Sequence, residues 1–169
     1  MDVPPEEKDR VNETAIRDAD PSEAGILSTL AFRSKATWGY DIDFMKRCRA
    51  ELTYSPDQIN SDHYRFFVCE IDGKLTGFYA LQLVGGGTAE LEALFVDRNF
   101  MGQGIGKALV EHARTVASES GISKVVIQGD PNAEDFYLSV GAVAAGYRES
   151  GSIPGRYLPV FNLSIEQDT

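Results

Sequence analysis

The feature that most constrains this chain lies between residues 88 and 113. An apolar strand and a short loop lead into Gly102-Gln103-Gly104-Ile105-Gly106-Lys107, which opens a long amphipathic helix. Three glycines within five residues let the backbone approach a ligand with no Cβ in the way, and they accept positive φ. The first-turn N–H groups of a helix have no internal acceptors and together carry roughly half a positive charge. The junction therefore reads as a socket for a phosphate or pyrophosphate. Spacing separates it from two other phosphate loops. A dinucleotide fingerprint, G-x-G-x-x-G, needs glycine where Lys107 stands and a parallel βαβ opening. A triphosphate loop, G-x-x-x-x-G-K-[S/T], needs one more residue between Gly102 and Lys107, and a hydroxyl where Ala108 stands.

The chain before the loop is antiparallel. Residues 65–71 and 75–84 read as strands joined by Asp72-Gly73, and Gly85-Gly86-Gly87 turns the chain again into strand 88–96. Upstream, residues 14–17 read as a short strand. Asp20-Pro21 starts a helix as N-cap and first helical residue, and Ile26, Leu27, Leu30 and Ala31 follow at helical spacing. Residues 42–52 form a second helix with Phe44, Met45 and Cys48 inward. Downstream, Ile105, Leu109, His112 or Ala113, and Val116 make one stripe that Gly121 ends. Residues 124–128 are a short, almost wholly apolar strand, expected where both faces are covered. Residues 132–140 form a short helix closed by Gly141; strands 142–147 and 160–165 follow, bridged by the Gly/Pro-rich loop 150–159. This order predicts an α/β (α+β) fold, a mixed and mostly antiparallel sheet with helices on its faces. Residues 1–12, with Pro4-Pro5 and a charge run, read as a flexible tail. Residues 13–169 read as a single domain.

Composition removes several classes of function. With 26 acidic and 16 basic residues the net charge is −10, a field opposite to the one that displaces counterions from nucleic acid. The same sign disfavours an anionic membrane surface, and no window approaches the roughly 18 apolar residues of a membrane span. The polar, acidic start of the chain lacks the pattern of a signal peptide. Cys48 and Cys69 are too few and too far apart for a zinc knuckle or a disulfide framework, and read as reduced thiols in a cytoplasmic protein. One local exception in charge is residues 33–49, where Arg33, Lys35, Lys46, Arg47 and Arg49 face only Asp41 and Asp43. It reads either as solvated helix faces or as an anion-binding patch.

With these exclusions, the chain resembles the GCN5-related N-acetyltransferase (GNAT) superfamily. That family's signature, [Q/R]-x-x-G-x-[G/A], is met by Met101-Gly102-Gln103-Gly104-Ile105-Gly106 at every place but the first, where Met101 replaces Arg or Gln. Leu94-Phe95-Val96-Asp97 is similar to the family's L-[Y/F]-V-x strand end. Asn132 through Phe136-Tyr137 to Gly141 is similar to N-x-x-A-x-x-F-Y-x-x-x-G-F, with Ala133 directly after the asparagine and Ala142 in place of the last Phe. The element order resembles the family over residues 13–165, and the motifs cover 88–142.

The resemblance implies acetyl-CoA as co-substrate. The backbone of residues 102–107 would hold its pyrophosphate, from Gly102, Gln103, Gly104, Ile105 and Gly106 to Lys107, with Met101 at the edge. Leu94, Phe95 and Val96 would pair with the pantetheine arm like an added strand. That requires the fourth strand to splay from its parallel neighbour, 124–128. Asn132 would hydrogen-bond the pantetheine, and Phe136 would pack on it. Tyr137 of the Phe-Tyr pair is the implied general acid for the departing thiolate. Glu90 and Glu92, at i and i+2 of one strand and so on one face, are alternative bases for the attacking amine. His63 and His112 are weaker candidates, the first in a polar turn and the second in helix packing. Acceptor specificity falls to the first two helices and the last hairpin. There Trp38 is a cleft wall or a core plug, Tyr40 stands beside it, and Arg156 is a carboxylate clamp or a surface residue. The expected activity is N-acetyl transfer to an amine of a small molecule or peptide by direct attack in a ternary complex, with a homodimer among the assemblies allowed. A non-catalytic acyl-CoA sensor and an interaction scaffold are the rival readings.

Overall fold

The structure is a computed structural model that describes residues 14–167; the tail expected over residues 1–12 lies outside them. Among the described residues, seven strands form one sheet: β1 (Thr14–Asp18), β2 (Tyr64–Ile71), β3 (Lys74–Gly85), β4 (Thr88–Val96), β5 (Lys124–Gln128), β6 (Val143–Glu149) and β7 (Tyr157–Ser164). Their spatial order is β1-β2-β3-β4-β5-β7-β6. Every neighbouring pair is antiparallel except β4 with β5. The β2–β3 hairpin closes on Asp72 and Gly73, both at positive φ (52° and 80°), as a tight two-residue turn between right-twisted strands requires.

The helices that cover the sheet are α1 (Ala24–Ala36), α2 (Ile42–Cys48), α3 (Ile105–Glu119) and α4 (Glu134–Ser139). Each face carries its own core. On one side α1 and α2 bury Leu27, Leu30, Met45 and Cys48 against Phe66, Val68, Phe78 and Ala80. On the other, α3 lays Ile105, Leu109, Ala113 and Val116 over Tyr79, Leu81, Val125 and Phe161. Leu109 has no solvent contact, and burying such a side chain is worth about 1.5–3 kcal/mol.

Local details depart from the sequence expectations. The first helix is preceded by a 3-10 turn, Pro21–Glu23, which Asp20 and Glu23 close as a reciprocal capping box. The second helix stops at Cys48 rather than running to Leu52, and residues 49–52 continue as turns. A single helical turn, Pro56–Ile59, capped by Ser55, was not expected. The helix expected over 132–140 divides into a 3-10 turn, Pro131–Ala133, and the shorter α4, because the Asp130 side chain caps the turn at the Asn132 N–H. The loop expected over 150–159 is shortened by β7, which begins at Tyr157, and β6 runs on to Glu149.

Two irregularities of β4 shape the face it turns to solvent. Ala80 pairs with Ala93 and Leu81 with Leu91, so Glu92 is an extra residue without a partner on β3, a bulge. The bulge shifts the alternation: Ala89 and Leu91 belong to the α3 side, whereas Ala93 and Phe95 belong to the α1 side. On its other edge β4 pairs with β5 only at Thr88, Ala89 and Glu90, opposite Lys124, Val125 and Val126. Beyond Glu90 the two strands part, and Ile127 and Gln128 pair with β7 alone.

Candidate active site

Where β4 and β5 diverge, a cavity of about 750 Å3 opens between them, within the range of small-molecule sites. Its lining runs from Glu90 to Val96 along β4, through Phe100, Met101, Gly102, Gly104, Ile105, Gly106 and Lys107, to Val126, Gln128, Asp130, Asn132, Ala133, Phe136 and Tyr137. The α1 side contributes Ser34, Lys35, Trp38, Glu51, Leu52 and Tyr54.

The glycine loop meets the cavity as an uncapped helix start. Gly104 is the N-cap of α3 at φ 82°, with no side chain to occupy the first-turn N–H groups. Gly102 and Gly104 have open space where a Cβ would stand. A Cβ on Gly106, by contrast, would come 3.1 Å from the Phe136 ring, which seats α4 directly on the loop. Lys107 adds a cation beside these donors. The arrangement fits a pyrophosphate. The unpaired edge of β4, at Leu91, Leu94 and Val96, offers backbone groups along which an amide-bearing arm can lie. Gln103 is exposed and outside the cavity wall.

The two glutamates of β4 differ. Glu90 is held by Arg148 of β6 at 3.2 Å. Glu92, on the bulge, opens onto the cavity and has no ion pair among the described residues. Partial loss of hydration, then the nearby charges of Glu90 and Glu51, raise its pKa above the ordinary carboxylate value. Tyr137 borders the cavity but is 7% exposed. Its ring lies between Gly129, Phe136 and Phe161, with centroids 5.3 and 5.5 Å from the two phenylalanines, and a Cβ on Gly129 would come 2.9 Å from it. Burial, and then the charge of Asp130, push its hydroxyl above the usual tyrosine range.

Trp38 lines the cavity and is 48% exposed, which makes it a wall and removes the core-plug alternative. Tyr40 and Arg156 are brought together, though not onto the wall: Arg156 donates to the Tyr40 hydroxyl at 2.9 Å and lies 3.9 Å from Asp130. Arg156 is thus engaged inside the protein rather than free at the surface. Asn132 lines the cavity with its amide nitrogen already bonded to Asp130 and Tyr40. Of the two histidines, His63 is exposed, and His112 packs on Phe67 and hydrogen-bonds the Tyr79 hydroxyl at 2.7 Å. The basic stretch 33–49 is partly neutralised: Lys35 pairs with Asp130 at 3.5 Å, Arg33 approaches Asp97 at 4.0 Å, and Arg49 covers the Phe32 ring.

Sequence reasoning missed Glu51 and Asp130 as cavity residues. A signal existed for Asp130: Asp130-Pro131 repeats the Asp20-Pro21 cap signature, so it reads as a helix cap and nothing more.

The Acetyltransferase (GNAT) family matches residues 33–142 of this sequence. The chain is 37% identical over 115 residues to an uncharacterized N-acetyltransferase of Chlorobaculum tepidum, covering 68% of this chain and 67% of that protein. It is 40% identical over 73 residues to the peptidyl-lysine N-acetyltransferase YjaB of Salmonella typhimurium, covering 43% and 48% of the two. The chain spans about half the length of this and another curated relative it matches, an N-acetyltransferase of Methanocaldococcus jannaschii. Among solved structures, the PaiA N-acetyltransferase of Thermoplasma acidophilum in complex with coenzyme A superposes at a TM-score of 0.75 with 19% identity, over 90% of this chain and 99% of that one. The fold is the one that this solved N-acetyltransferase has. This chain belongs to the GNAT family.

Proposed function

We propose that the protein moves the acetyl group of acetyl-CoA to a primary amine of a small molecule or peptide, by direct attack in a ternary complex. The observation that carries this reading is the parting of β4 from β5 after three residue pairs, beside the uncapped start of α3. Acetyl-CoA, when bound, supplies an activated thioester carbonyl. The backbone N–H groups at Gly102, Gly104, Ile105 and Gly106, with Lys107, hold the pyrophosphate, and the open edge of β4 at Leu94 and Val96 holds the pantetheine arm. Phe136 packs against it, and Asn132 bonds it.

An alkyl amine with a pKa of about 10.4 is neutral only about once in 2,500 molecules at pH 7, a penalty of roughly 4.6 kcal/mol. Glu92 offsets part of that by taking the amine proton through water as the C–N bond forms. Its raised pKa makes it a stronger base than an ordinary carboxylate. Glu90 is engaged by Arg148, which leaves Glu92 the carboxylate open to the amine. Glu51 and Glu92 also give that side of the cavity a field that attracts a cationic amine. As the C–S bond breaks, Tyr137 steadies the sulfur. A proton on an ordinary tyrosine (about 10) would move uphill to a thiolate (about 8.5) by roughly 2 kcal/mol, and burial raises the tyrosine further. Tyr137 thus works as a hydrogen-bond donor, and the thiolate takes its proton from solvent. The peptidyl-lysine acetyltransferase among the relatives supports an alkyl amine of the lysine type. A cytoplasmic location accords with two buried free thiols.

The test is release of free thiol from acetyl-CoA across a panel of primary amines that includes lysine peptides and polyamines. Thiol release that depends on one of these acceptors is the expected result. Silence on every acceptor, with acetyl-CoA still raising the thermal midpoint, identifies a cofactor-binding domain without turnover. No midpoint shift at millimolar acetyl-CoA removes the cofactor assignment as well.

A further inference from the structure

Asp130 stands just past the C-terminal end of β5, its side chain 13% exposed, and it collects contacts from three separate pieces of chain. From its own loop, the Asn132 N–H and the Asn132 side-chain Nδ2 both donate to Oδ1 at 2.9 Å. From the connection between α1 and α2, the Tyr40 hydroxyl lies 2.9 and 2.8 Å from the two carboxylate oxygens, and Lys35 at the end of α1 adds its Nζ at 3.5 Å. From the β6–β7 loop, Arg156 reaches Oδ2 at 3.9 Å. Capping the 3-10 turn needs only the first of these contacts. The rest join the two acceptor-side segments to the end of β5.

Hydrogen-bond capacity shows what this does. A tyrosine hydroxyl has one proton and two lone pairs. The Tyr40 proton goes to Asp130, and its lone pairs accept from Asn132 Nδ2 at 3.0 Å and from Arg156 at 2.9 Å. Asn132 Nδ2 donates to both Asp130 and Tyr40. An ionised carboxylate only accepts, so it fixes which way round the amide sits. The Asn132 side-chain carbonyl Oδ1 is thus turned away from these acceptors, and it can only accept. Tyr40 is itself clamped: its ring stacks on Phe44 at 4.0 Å, with the Arg156 guanidinium over both rings.

We propose that Asp130 is a positioning residue that, directly and through Tyr40, orients the Asn132 amide to accept an N–H from the pantetheine, and so couples the acceptor-side segments to coenzyme affinity. This rests on the acetyl-CoA reading of the cleft. The test is calorimetric titration of the full chain with coenzyme A, in the unsubstituted protein and in Tyr40→Phe, Asp130→Asn and the double variant. Tyr40 lies outside the cavity lining, yet Tyr40→Phe is expected to weaken coenzyme A three- to tenfold, and the double variant to be no weaker than the weaker single one. Phe44→Leu, which loosens the ring stack and leaves the hydrogen bonds, is expected to stay within twofold. An unchanged Kd in Tyr40→Phe, multiplying effects in the double variant, or an equal loss in Phe44→Leu would each overturn the proposal. If Asp130→Asn fails to fold, the Tyr40→Phe and Phe44→Leu pair still decides. Failure of the unsubstituted protein to bind coenzyme A would sink the functional reading and this proposal with it, whereas normal binding with an indifferent Tyr40→Phe sinks this proposal alone.

Discussion

Burial and neighbouring charge set apart side chains that look alike in the sequence. Glu90 and Glu92 are two residues apart, but one is spent on Arg148 and the other is left open beside Glu51. Because the pKa of Glu92 is raised and a base acts only when deprotonated, kcat/KM should rise with pH along an acid limb centred above the ordinary carboxylate value. Glu92→Gln should lower kcat/KM about a hundredfold and abolish that limb in a pH–rate profile; an unchanged profile would remove Glu92 from the mechanism. Tyr137 makes the complementary case. Its enclosed hydroxyl stays protonated, so Tyr137→Phe should cut kcat tenfold or more while the Kd for acetyl-CoA moves less than twofold. Steady-state kinetics and calorimetry read the two quantities separately, and a kcat within twofold of the unsubstituted protein would leave Tyr137 a packing residue.

At the scale of elements, the cleft depends on how closely α3 lies against β3 and β4. Gly77 on β3 is the contact point: a Cβ there would stand 2.9 Å from the Phe95 carbonyl oxygen and 3.3 Å from both Ile105 and Leu109. The carbonyl belongs to the ladder and cannot yield as a flexible side chain would. Gly77→Ala should therefore cost about 1–3 kcal/mol of stability, seen as a lower urea midpoint with unchanged m-value. An unchanged midpoint would mean that α3 can lift from the sheet without penalty, and that the position of the glycine loop is set elsewhere. The bulge at Glu92 and the early end of the β4–β5 ladder work at the same scale. The first turns a carboxylate into the cavity, and the second leaves backbone groups open along its floor.

Across the molecule as a whole, stability carries a pH dependence that the cleft does not explain. His112, on α3, is bonded to Tyr79 and packed on Phe67. Burial lowers its pKa; the charges of Asp18 and Arg65 act on it in opposite senses. In the unfolded chain a histidine titrates near about 6.5, so below that pH the unfolded state binds a proton that the native state resists. Stability should thus be full above about pH 6.5 and fall as pH drops from there through the lower native value. Urea midpoints between pH 7.5 and 5.5 should show that decline, and His112→Gln should flatten it. An identical slope in the variant would assign the decline to other groups.

Much of this architecture was legible in the sequence because it rests on short-range physics. The Asp72-Gly73 turn, the Asp20 cap (here of the 3-10 turn ahead of α1), the apolar stripe of α3 and the glycines at its head each follow from residues within a few positions of one another. The resemblance to the family extended that reading to a parting of two strands, which the ladder between β4 and β5 displays. Other features came only with the tertiary structure. The bulge that isolates Glu92 depends on which β3 residue each β4 residue meets. The insertion of β7 between β5 and β6 depends on a sheet assembled out of chain order. The network at Asp130 joins it to Tyr40, 90 positions away, and Tyr40 to Arg156, 116 positions away. Local propensity carries no information about such meetings. They exist only once the chain has closed the long loops between these segments, and the enclosed carboxylate must then find its donors among whatever side chains arrive.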